Sequence, residues 1–207
     1  VVRCFDDKNI IHVDGNVDPI RDIEIINLEL IFSDLEIIVN RINKIAKKAQ
    51  SSKNKDDLME YNLLLRIKDT LEKNIPIRKL DFTEEEKKIL SGFRLITAKP
   101  IIYVANVSEE DIMNGTNNYV EQVKNYASKE NSLVVPICAK IESELAELDL
   151  DEKTAFLKEL GIEESGLSNL IRTTYKLLGL ATYFTVGPDE VKAWTFRKGM
   201  KAPACAG

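Results

Sequence analysis

The stretch from Lys99 to Asp111 reads KPIIYVANVSEED. Ile101 to Val104 is a short apolar run rich in β-branched residues, with Pro100 at its entrance. Such a run predicts a buried strand. A polar cluster follows at once, in which Asn106 and Glu109 stand three apart. Open α/β sheets build ligand sites in this way, from polar side chains beyond the C-terminal ends of buried strands. Ser108 reads equally as an N-cap with acidic residues in the first helical turn behind it. The pattern alone leaves both readings open.

Two further strands flank this one in the sequence. Val1 to Phe5 (VVRCF) reads as an interior strand, and Phe5 at its end is either core or a flat apolar face against which a base packs. Ser132 to Ile137 is the next strand, and its proline suits an edge or a strand end. Cys138-Ala139-Lys140 is the loop beyond it.

Between the first two strands the chain passes through DDKNIIHVDGNVDP, which is loop chemistry, and then turns helical. Pro19 suits the start of a helix, and no Pro or Gly interrupts Ile20 to Gln50. Ile23, Ile26, Leu30 and Ile37 form a stripe that Ile38, Ile42, Ile45 and Ala49 continue. A rod of roughly 45 Å follows, and it needs a partner along its length. Asp57 to Asn74 supplies one, with Leu58, Tyr61, Leu64, Leu65, Ile67 and Leu71 inward. The short connection predicts an antiparallel, locally coiled-coil-like hairpin. Lys44, Lys47, Lys48, Lys53 and Lys55 sit at its tip, as a solvated end or as a docking point for RNA or another acidic surface. Thr83 and Glu86 form a capping box ahead of Ile89, Leu90 and Phe93.

Helices are expected over 117–129, 142–148 and 151–160, the last closed by Gly161. Leu167, Leu170, Ile171, Tyr175 and Leu178 form a further apolar face. Ala181–Val186 and Val191–Phe196 are strands about a Gly187-Pro188 turn, the opening of a small β-rich domain. The order is that of an α/β sheet interrupted by a helical hairpin.

The 207 residues carry a net charge of -5, so no whole-surface preference for nucleic acid is implied, although a local basic patch is compatible with it. Cys4, Cys138 and Cys205 lack CxxC spacing and His12 is the one histidine, too few ligands for a zinc site. That cysteine usage favours reduced thiols in a cytoplasmic protein. No run of 18 apolar residues exists, so no membrane span is expected, and no signal-peptide pattern opens the chain. The start without Met and the end in KAPACAG suggest a fragment.

The phrases VDGNVDPIRDIEIINLEL (13–30), NVSE (106–109) and GLSNLIRTTYKLLGLATYFTVGPDEVKAWTFRKGMKAP (166–203) resemble the YchF family, a branch of the Obg-related P-loop NTPases, and the likeness extends over essentially the whole chain. The resemblance implies a partial P-loop NTPase-type α/β sheet. Residues 1–18 would be a strand and loop of the nucleotide-binding domain, 19–82 a helical coiled-coil insertion, 83–180 the second half of the nucleotide-binding domain, and 181–207 an incomplete TGS domain. It also implies binding of ATP or GTP with Mg2+ in the intact protein, a ribosome or RNA partner, and a monomer.

Many related GTPases read guanine with an Asn-Lys-x-Asp loop, whose carboxylate accepts from the guanine N1–H and the N2 amino group. Here the loop is Asn106-Val107-Ser108-Glu109: the Lys is absent and Glu replaces Asp. The extra methylene moves the carboxylate by about 1.5 Å, one carbon–carbon bond. The resemblance places Asn106 on the N7 and N6 side of the base and Val107 beside its plane. Cys138, Ala139 and Lys140 form the second base loop, with the Lys140 methylenes over a ring face, and Phe5 closes the other side. No GxxxxGK[ST] occurs in the 207 residues, so nothing in them cradles phosphates, and this segment is not expected to hydrolyse nucleotide alone. The alternative is a non-enzymatic helical adaptor that binds the ribosome or a protein partner.

Overall fold

A computed structural model describes residues 1–7, 15–51 and 54–206, without the side chains at 50, 51 and 206. His12, Lys53 and the centre of the Asp- and Asn-rich loop lie outside the described residues. In chain order the elements are β1 (Val2–Arg3), α1 (Pro19–Ser51), α2 (Lys55–Glu72), a 3-10 turn (Ile77–Lys79), α3 (Glu84–Ser91), β2 (Ile102–Asn106), α4 (Glu109–Asn114), α5 (Asn118–Ser128), β3 (Leu133–Ile137), α6 (Ala139–Glu147), α7 (Leu150–Glu159), α8 (Gly166–Leu177), β4 (Leu180–Val186), β5 (Val191–Arg197) and α9 (Ala202–Ala206). Contacts divide the chain into two compact units, one of residues 18–101 with 125–132 and one of 1–17, 102–124 and 133–207.

The first unit is built on α1 and α2. Asp18 caps α1 by accepting from the backbone of Ile20 and Arg21, which leaves Pro19 at the first helical position. The 33 residues of α1 make a rod of about 50 Å. Arg41 pairs with Glu60 and Lys48 with Asp57, so the two helices run antiparallel. Ile31, Ile38, Ile42 and Ile45 of α1 pack with Leu63, Leu64, Ile67 and Leu71 of α2, and with Ile77 and Leu95.

The buried seam of α1 departs from the expected stripe in its first half. It runs Ile23, Asn27, Ile31, Asp34, Ile38, Ile42, Ile45, Ala49, in steps of three and four residues. Ile26 and Ile37 are 54% and 40% exposed. Two polar residues hold the seam because each has buried partners. The Asp34 carboxylate accepts from Ile96 N (2.9 Å), Thr97 N (2.7 Å) and Thr97 Oγ1 (2.6 Å). Asn27 accepts from Arg78 Nη2 (3.0 Å) and donates to the Tyr126 hydroxyl (3.4 Å). Arg78 also pairs with the fully buried carboxylate of Glu130 at 3.2 Å. On α2, Leu58 and Leu65 likewise face outward, and Leu63 takes an inward place. The capping box is formed: Glu86 N donates to Thr83 Oγ1 and Thr83 N to the Glu86 carboxylate.

In the second unit a three-stranded parallel sheet has the order β1-β2-β3. Parallel neighbours present their C-terminal ends on one edge, which sets the loops after β1, β2 and β3 side by side. Pro136 is accommodated because β3 ends the order. Asn117 ties the start of α5 to β1: its amide donates to Cys4 O (2.7 Å) and accepts from Val120 N (2.8 Å). Gly161, at φ +69°, closes α7, with Ile162 N donating to Leu157 O. Gly166 opens α8 against β3; a Cβ there would lie 3.0 Å from Ile137 Cγ1. Of the apolar face expected on α8, Leu167, Ile171 and Leu178 are exposed, while Leu170 and Tyr175 are half-buried. β4 and β5 form a separate antiparallel hairpin.

Candidate purine-base site

β2 ends at Asn106, and Ser108 then caps α4 by accepting from Asp111 N at 3.1 Å. The cap and the strand end coexist, so the two readings of NVSE describe neighbouring atoms of one loop. Parallel pairing sets Arg3 of β1 opposite Asn106, and Asn106 opposite Ile137 of β3. Val107 N donates to Ile137 O at 2.9 Å, which extends the β2–β3 ladder one step past the strand ends.

Residues 138–140, expected as a loop, are the N-cap and first turn of α6, and across this edge the Asn106 side chain reaches them. Its Oδ1 accepts from Ala139 N at 3.1 Å. An amide oxygen has a second lone pair, and the amide nitrogen of Asn106 remains a donor. One donor beside one acceptor is the pattern that complements N7 and the N6 amino group of adenine. Lys140 pairs with Glu109 at 3.1 Å, which joins the first turns of α6 and α4. That bond, and the charge of Glu109 behind it, hold the Lys140 ammonium above its ordinary pKa.

The remaining residues take different places. Phe5 is half-buried, two residues past Arg3, with the Arg3 guanidinium 4.9 Å from its ring centroid. Arg3 Nε donates to Phe5 O, so this cation is fixed on the ring. Val107 is buried beneath the loop, and Cys138 is buried at the N-cap of α6. Cys138 also lines a cavity of about 200 Å³ with Pro136, Ile141, Gly166 and Asn169. The structure therefore brings Asn106, Ala139 and Lys140 to one surface with Phe5 at the neighbouring strand end, while the side chains of Val107 and Cys138 are packed inward.

A family model named YchF-GTPase_C, described as "Protein of unknown function (DUF933)", matches residues 180–207. A Bacillus subtilis protein named "Ribosome-binding ATPase YchF" is 54% identical over 208 residues, which cover 100% of this chain and 57% of that protein. An Escherichia coli protein of the same name is 46% identical over 207 residues, 100% of this chain and 56% of its own length. A solved structure, "Structure of the Schizosaccharomyces pombe YchF GTPase", superposes with a TM-score of 0.87 at 37% identity, over 100% of this chain and 56% of that one. The chain belongs to the YchF family. It spans a little over half the length of the relatives it matches. The α/β fold with a parallel sheet is the fold of the YchF structure.

Arg3 and the Lys140–Glu109 pair escaped the sequence reading. Arg3 stands in an apolar strand with no local motif, and the pair joins residues 31 apart. Among the described residues no group of three or more His, Cys, Asp or Glu side chains is placed to hold a metal ion.

Proposed function

We propose that this chain carries the base-recognising loops of a nucleotide-binding protein that binds and hydrolyses ATP, with GTP as the competing substrate, to control its association with the ribosome. Asn106 and the 138–140 loop hold the purine edge, the Lys140 methylenes cover one ring face, and Phe5 closes the other. Residues 1–18 and 83–180 belong to the nucleotide-binding domain, 19–82 form an inserted coiled-coil hairpin, and 181–207 begin a TGS domain. Hydrolysis belongs to the full-length protein, where phosphate-binding residues and Mg2+ complete the site. The observation that carries this reading is the Ala139 N to Asn106 Oδ1 bond at 3.1 Å, which joins the two loops at the C-terminal edge of a parallel sheet. The names of the relatives support the ATPase activity and the ribosome as partner.

The lysines of the hairpin suit contact with ribosomal phosphates. Lys44, Lys47, Lys48 and Lys55 are exposed, Lys48 in a pair with Asp57. The test is nucleotide binding, hydrolysis and ribosome co-sedimentation by the full-length protein and its Asn106→Ala variant. We expect the variant to lose on the order of tenfold in ATP affinity, about the value of one good hydrogen bond to the base. Ribosome binding that ignores nucleotide in both proteins would favour the non-enzymatic adaptor instead.

A further inference from the structure

Guanine presents three groups on the edge this site faces. Its O6 needs a donor, and its N1–H and N2 amino group need an acceptor. In this pair of segments the Glu109 carboxylate is an acceptor suited to N1–H and the N2 amino group, and Ala139 N–H is one donor suited to O6. Both are engaged within the protein: Ala139 N donates to Asn106 Oδ1 at 3.1 Å, and Glu109 Oε2 accepts from Lys140 Nζ at 3.1 Å. Adjacent residues of one turn, Ala139 and Lys140, make both bonds. Adenine needs neither group, since Asn106 offers a donor for N7 and a lone pair for N6–H.

We propose that Lys140 is a specificity-determining residue of the base site: its ammonium holds Glu109 Oε2 and so competes with the guanine N1–H and N2 amino group for that carboxylate. This rests on the base-site reading above. Lys140 acts here through Glu109, and its own contact with the ring face is separate from this effect. The pair is solvent-exposed, with side chains 68% and 41% accessible. Exposed pairs are weak and salt-sensitive, so the bias against guanine is modest.

The test uses the full-length protein and reads the ratio of the GTP and ATP dissociation constants. Lys140→Met keeps the methylenes and removes the ammonium. We expect the ratio to fall in favour of GTP by roughly threefold, the scale of an exposed ion pair. In the double variant Lys140→Met/Glu109→Ala the gain should vanish, because no carboxylate is left to release. Raising the salt from about 0.1 M to about 1 M shortens the screening length from about 10 Å to about 3 Å. The wild-type ratio should then move the same way, and the Lys140→Met ratio should not. An unchanged ratio in Lys140→Met, or an equal gain in the double variant, overturns the proposal. If the wild type binds neither nucleotide, the base-site reading itself has failed.

Discussion

Replacing Asp34 by alanine should cost more stability than any apolar truncation on the outer face of α1. Asp34 and Thr97 are both fully buried, 63 residues apart, and the carboxylate accepts three hydrogen bonds there. Alanine leaves the amides of Ile96 and Thr97 and the Thr97 hydroxyl without that acceptor. A hydrogen bond to a charged group contributes about 1.5–3 kcal/mol, and an orphaned buried donor costs about 1–3 kcal/mol. The hydroxyl can rotate toward another acceptor, so the three losses do not simply add. We expect roughly 3–5 kcal/mol in total. With a urea m-value of about 2–3 kcal/mol/M, the midpoint should drop by roughly 1–2 M. Asp34→Asn keeps one acceptor oxygen and should lose about half as much. Ile26→Ala is the control, because an exposed truncation should cost about 0.5 kcal/mol or less. The assay is urea unfolding of the 207-residue chain followed by helical circular dichroism. A loss below about 1 kcal/mol for Asp34→Ala, or above about 2 kcal/mol for Ile26→Ala, would refute the assigned seam.

Burial, and secondarily the Asp111 carboxylate, push the Cys4 thiol up from 9.0 to about 12. Above pH ~9 the unfolded chain therefore releases a proton that the folded chain keeps, and stability falls by about 1.4 kcal/mol per pH unit until about pH 12, while below pH ~9 the contribution is fully present. Urea unfolding at pH 8 and pH 10 should therefore differ by about 1.4 kcal/mol in the wild type, and Cys4→Ala should lose that difference; an equal pH dependence contradicts the assignment. Gly166→Ala would set a Cβ 3.0 Å from Ile137 Cγ1 and 3.1 Å from Glu142 Oε1, so about 1–3 kcal/mol of destabilisation is expected by thermal unfolding. In a double-mutant cycle with Ile137→Ala, which removes both Cγ atoms, the Gly166→Ala change should cost less than it does alone, tying the cost to that contact.

Much of the architecture was legible because the local signals agreed with one another. Pro19, the Thr83–Glu86 box and Gly161 each mark a helix end where the structure has one. The three apolar runs pair as parallel strands, and the helical hairpin falls between the first two. The first half of the α1 seam was not legible. Asn27 and Asp34 are polar residues with no local signal of burial, and their partners Arg78, Tyr126 and Thr97 lie 51 to 99 residues away. Ile26, Leu30 and Ile37 offered an apolar stripe at acceptable helical spacing, and nothing local distinguishes a true seam from a competing one. At the site, Asn106 was identified by its position after a strand and by resemblance. Its engagement of Ala139 N and the pairing of Lys140 with Glu109 depend on the register of β2 with β3, which one sequence does not encode locally.

The claim on which the functional account rests is that a purine sits against Asn106 and the 138–140 turn. Titrating ATP into the 15N-labelled full-length protein tests it directly, with the Asn106 side-chain amide and the backbone amides of Ala139 and Lys140 as reporters. We predict that these signals shift together and saturate with one dissociation constant. Saturable binding that leaves all three in place would contradict the account.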